Sequence, residues 1–174
     1  MDESKKTLHI VLTRTILIKT IQHNDAMSHS KQAAKEPFLA LIKELVLTYQ
    51  VFTQIGDAHI RQLGLTTSQF DVIATLGNTK GFNFKELGEK TLITKGTLTG
   101  VIDRLEKKGL VQRQMDQQDR RVFQVVLTKQ GEEIFEKVFP QHISYFKQRF
   151  QSLTTEEHQE ILTALRKLKT IFQE

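Results

Sequence analysis

The sequence contains no cysteine, and that one absence excludes a good deal of chemistry. Disulfide frameworks, cysteine-based zinc sites, iron–sulfur ligation, thiol catalysis and thiol redox sensing all need the missing residue. Its absence also fits a reducing cytoplasm. Proline is scarce, with only Pro37 and Pro140, so most of the 174 residues are free to run in helices. Long apolar runs are missing as well. The most apolar stretch, Leu8 to Ile21, is broken by His9, Arg14 and Lys19 and is too short and too charged to span a bilayer. Lys5 and Lys6 precede it in the manner of a secretion signal, but no small-residue cleavage site follows. No membrane partner is expected. There is no H-E-x-x-H or G-x-x-x-x-G-K motif and no paired acid/base or nucleophile constellation. Neither an enzyme nor a metal or cofactor site is expected.

What is present is an ordinary folded composition, 39% hydrophobic and 26% charged, long enough for one domain with an appended arm. Residues 1–35 read as that arm, expected to be disordered or to lie outside the native start, with Met27 as an alternative start. The other reading is an arm that packs on a dimer partner. From Phe38 the apolar spacing is helical through Leu41, Ile42, Leu45, Tyr49, Phe52 and Ile55, and Gly64 is a natural stop. Capping boxes begin three further helices, at Thr66/Gln69, Asn83/Glu86 and Thr154/Glu157. Thr94 opens a helix that runs to Lys108, and Thr128 opens another that Pro140 should kink. Between them the period changes from about 3.6 to 2. Residues 111–115 and 122–127 then flank a charged tip, as in a β-hairpin. The fold class is therefore mainly α with a small β-hairpin wing. Its order matches a winged helix-turn-helix with N- and C-terminal dimerisation helices.

Charge is concentrated in one segment. Residues 83–131 hold ten cations against six acids, a net +4, whereas the remaining 125 residues carry only +1. Such asymmetry attracts a polyphosphate, because neutralising phosphates releases condensed counterions. In helix 94–108, Leu98, Val101, Ile102 and Leu105 form the inward stripe. The opposite face shows Gly96, Thr99, Gly100, Asp103 and Lys107, with Lys95 and Thr97 in the first turn. Two glycines on an exposed helix face cost about 1 kcal/mol each relative to alanine. A surface that must approach a duplex closely has a use for them, and small polar residues near a helix N-terminus suit the major groove. The competing reading places these glycines at a crowded helix–helix contact. At the hairpin tip, Arg120 and Arg121 suit a narrow minor groove, and Asp119 can hold an arginine by a bidentate pair and aim it.

These motifs resemble the MarR family of bacterial transcription regulators. The resemblance rests on Leu65-Thr-Thr-Ser-Gln-Phe70, on the run from Leu98 through Lys107-Lys108-Gly109 to Arg113, on Asp119-Arg-Arg121, on Leu127-Thr-Lys-Gln-Gly131 and on Leu153-Thr-Thr-Glu-Glu157. It covers about residues 38–172. It implies a winged helix domain at 36–174, with a DNA-binding lobe at about 66–128 and dimerisation helices at about 37–63 and 129–173. The implied protein is a cytoplasmic homodimer on a pseudo-palindromic operator, a repressor released by a small organic effector. Lys95, Gly96, Thr97, Thr99, Gly100, Asp103, Arg104, Arg120 and Arg121 would meet DNA, with Asp119 orienting the wing. Phe52, His59 and His142 fall where this family binds effectors. Without cysteine, the thiol-oxidation subgroup is disfavoured. The alternative function is a dimeric protein-interaction module that kept the fold and lost DNA binding.

Overall fold

The computed structural model describes residues 28–115 and 123–173. The elements run α1 (Ser28–Ala33), α2 (Phe38–Gln62), α3 (Thr67–Leu76), β1 (Phe82–Asn83), α4 (Phe84–Thr91), α5 (Lys95–Lys107), β2 (Val111–Met115), β3 (Phe123–Leu127), α6 (Lys129–Phe150) and α7 (Thr155–Ile171). Helix α1 lies within the segment assigned to the N-terminal arm, so part of that arm is helical rather than disordered.

Local chemistry sets the helix starts. All three capping boxes form, with the Thr66, Asn83 and Thr154 side chains accepting from the third-residue amides and Gln69, Glu86 and Glu157 reaching back to the cap amides. The Thr128 hydroxyl accepts from the Gly131 amide and starts α6, which runs unbroken across Pro140. Gly109 closes α5 at φ +69, a conformation that glycine adopts without steric cost.

The strands pair antiparallel in the order β1-β3-β2, with Val111 opposite Leu127 and Met115 opposite Phe123. The two-residue β1 adds Phe82 opposite Val125, a third strand beyond the expected hairpin. A single core joins this sheet to α3, α4 and α5 through Val72, Ile73, Leu76, Leu87, Leu98, Ile102, Leu105, Val111 and Val125. Ile60, Phe135 and Val138 extend it to α2 and α6. Gly131 must be glycine, because a Cβ there would sit 1.9 Å from the Leu110 carbonyl oxygen.

Helix α2 is long and apolar enough to cross a membrane by length and composition. Its C-terminal end packs against α3 and α6 with Gly56 and Ile60 buried, whereas Phe38, Leu41, Leu47, Val51 and Phe52 remain exposed. Among the helices from α2 onward only α7 buries no residue, and its Ile161, Leu162, Leu165 and Ile171 are all exposed.

Candidate nucleic-acid interface

Four buried side chains, Leu98, Val101, Ile102 and Leu105, fix the roll of α5 about its axis. That roll leaves Lys95, Gly96, Thr97, Thr99 and Arg104 exposed, with Gly100 half-buried beside them. A Cβ added at Gly96 would meet nothing within 4 Å, and one at Gly100 only the Arg104 guanidinium at 3.5 Å. Packing within the chain therefore requires neither glycine, and the crowded helix–helix contact is not found. The first turn of α5 is also uncapped: Thr94 makes no side-chain bond to the backbone, and its hydroxyl donates to Thr97 Oγ1 at 3.1 Å. First-turn amides left this way point along the helix axis toward any anion placed there. Thr99 donates back to the Lys95 carbonyl at 3.2 Å.

Asp103 has a partner of its own. The Arg113 guanidinium donates to Asp103 at 2.5 Å and to Glu106, and the Arg113 amide donates to Glu106 at 3.2 Å. The same guanidinium lies 5.5 Å from the Phe84 ring centroid. One arginine on β2 thus ties the wing to α5 and offsets two carboxylates that would otherwise repel a polyanion. A count of charges along the sequence could not single out Arg113, because its two partners lie seven and ten positions away. Asp119, Arg120 and Arg121 lie outside the described residues.

Phe52, His59 and His142 do come together, where α2 crosses α6. The two histidines share a hydrogen bond, Nδ1 to Nδ1 at 3.0 Å, so one ring must donate and the other accept. Tyr145 stacks on His59 at 3.9 Å, the Arg149 guanidinium lies over the Tyr145 ring at 4.0 Å, and Phe70 of α3 lies 4.6 Å from His142. Phe146 contacts both Phe52 and His142 at 5.1 Å. Burial pulls the His59 pKa down, with Arg149 adding to the effect; burial and then His59 do the same to His142. Beside this cluster, burial and then Asp57 push Asp71 up to about 6. Phe70, Tyr145, Phe146 and Arg149 were not singled out from sequence. The spacing 142, 146, 149 on one helix was the available signal. No group of three or more His, Asp or Glu poised to hold a metal occurs among the described residues.

Known proteins share this arrangement. A MarR family model matches residues 65–123, which span helices α3 to α5 and strand β2. The regulator MhqR of Bacillus subtilis is 30% identical over 122 residues, covering 70% of this chain and 84% of MhqR. AbsC, a MarR family regulator from Streptomyces coelicolor, superposes with a TM-score of 0.66 at 24% identity, over 86% of this chain and 99% of AbsC. BpsR of Bordetella bronchiseptica, whose DNA binding is regulated by 6-hydroxynicotinic acid, has a TM-score of 0.63 at 29% identity, over 73% of this chain and 91% of BpsR. The order of motifs, strand β2 clamped to α5 and these relatives agree: the chain belongs to the MarR family of DNA-binding transcriptional regulators and is not an enzyme.

Proposed function

We propose that the protein is a cytoplasmic, sequence-specific repressor that binds a pseudo-palindromic operator as a homodimer and leaves it when a small organic ligand binds. The observation that carries the reading is the outward face of α5. Its two glycines are demanded by nothing inside the chain, yet they keep the helix surface low beside Lys95, Thr97 and Thr99. A low, polar, cationic helix end suits the floor of a major groove. Arg104 reaches toward the phosphates from the same helix, and Arg120 and Arg121, aimed by Asp119, take the minor groove.

Residues 66–128 form the DNA-binding lobe in this reading, and residues 37–63 and 129–173 form the dimer base. The bare apolar face of α7, together with exposed Phe38, Leu41 and Phe172, supports a second subunit as its cover. The cluster of Phe52, His59 and His142 at the α2–α6 crossing is the ligand site in this reading. BpsR supports ligand control as a mode open to this fold.

Selection of duplexes from a random pool tests the proposal. The expected product is a pair of inverted half-sites whose centres lie about one helical turn, roughly 34–36 Å, apart. A pool that yields no enriched duplex would favour the interaction module that lacks DNA binding.

A further inference from the structure

Leu92 stands out among the described residues. It follows α4 with φ 57 and ψ 16, in the left-handed region. The only other described non-glycine residue with positive φ is Asn78 (φ 59), and asparagine tolerates that conformation far better than leucine does. A helix C-terminus of this shape is ordinarily closed by glycine. Leu92 is also 89% exposed, the most exposed of the large hydrophobic residues described.

The turn that holds it is braced. The Thr91 hydroxyl donates to the Leu87 carbonyl at 2.7 Å and accepts from the Ile93 amide at 3.4 Å. The turn folds back onto α4, where a Cβ at Gly88 would be in ordinary contact with the Ile93 carbonyl oxygen at 3.5 Å. Ile93 packs against the core, which leaves its neighbour Leu92 outside. A disfavoured backbone and a fully solvated apolar side chain are two costs with no return inside the chain. They occur two residues before Thr94, at the end of α5 that enters the groove first.

We propose that Leu92 is a specificity-determining DNA contact, its side chain seated on a thymine methyl group beside the bases met by Lys95 and Thr97. This rests on the DNA-binding reading above. Thymine alone presents a methyl group in the major groove, and an apolar side chain is what recognises it. Contact with DNA would bury the leucine and give the strained turn its purpose.

The test uses the full-length protein and a duplex that the wild type selects from a random pool. Leu92→Gly and Leu92→Asn both suit the left-handed turn, so each should unfold at or above the wild-type temperature. Each should bind the selected duplex about tenfold more weakly, with the salt dependence unchanged because no phosphate contact is lost. Deoxyuridine is then substituted for each thymine of the half-site in turn, removing only the methyl group. One position should weaken wild-type binding by a similar factor and leave the two variants unaffected. Wild-type affinity in both variants overturns the proposal, as does a half-site with no thymine whose demethylation matters, or a demethylation loss that persists in both variants. If the wild type selects no duplex, the DNA-binding reading fails and the Leu92 contact falls with it; the other outcomes remove the Leu92 contact alone.

Discussion

At the scale of single residues, glycine separates packing from function. Gly131 is closed in by backbone, so Gly131→Ala should destabilise the fold by about 3 kcal/mol, read as a fall in the urea midpoint. Gly96 has open space around it, so Gly96→Ala should stabilise α5 by up to about 1 kcal/mol while weakening operator binding. A single methyl group that moves stability and affinity in opposite directions would mark the face as a contact surface. Unchanged affinity would remove the argument from the glycines. Asp71 offers a test of burial. Its carboxyl, pushed up to about 6, prefers to be protonated in the folded state, so the fold loses stability as pH rises from the ordinary carboxylate range to about 6. Asp71→Asn should therefore raise stability at neutral pH by about 1 kcal/mol, a figure discounted for the partial exposure of the group. The thermal midpoint at two pH values checks it.

At the scale of elements, two contacts join pieces far apart in sequence. Arg113 fastens β2 to α5 through Asp103 and Glu106. Arg113→Ala should cost about 1 kcal/mol, since the groups are only partly buried, and should weaken duplex binding most at low salt, where two unpaired carboxylates repel phosphate most strongly. A loss of the same factor at low and high salt, relative to the wild type, would contradict the clamp's electrostatic part. The His59–His142 bond couples α2 to α6. Both pKa values are lowered from the ordinary value near 6.5, so the stability this pair contributes is fully present above 6.5 and is lost as pH falls toward the folded values. Replacing His142 with Gln should flatten that acid loss in a pH series of thermal midpoints. The same contacts mark where the sequence stopped being legible. Capping boxes at Thr66, Asn83 and Thr154 could be read directly, because a cap and its partner lie three residues apart. The inward stripe of α5 was legible for the same reason, since its period is local. Strand β1 was not, because two residues carry no period. His59 and His142 were grouped by the family resemblance alone; their hydrogen bond was not legible, because 83 positions separate them. The sequence places Asp103 on the outward face of α5, and only folding brings Arg113 to it from ten positions away.

At the scale of the whole molecule, the DNA-binding lobe is finished and the helical base is not. The core of the lobe is closed against α2 and α6 by Ile60, Phe135 and Val138, but α7 buries nothing and leaves Leu165 50% exposed on its apolar face. A charge placed there, Leu165→Glu, should convert the dimer to monomer in sedimentation and cost at least about tenfold in operator affinity, since two half-sites would no longer be held together. A monomeric wild type would contradict the proposed assembly. The central claim is that the α5 face and the cationic wing grip duplex DNA through its phosphates and base edges together. Measuring the association constant for the selected duplex between about 50 and 200 mM salt tests this most directly. The account predicts that its logarithm falls linearly with the logarithm of salt concentration, with a slope of about −5 or steeper. A slope near zero, or no binding at the lowest salt, would contradict it.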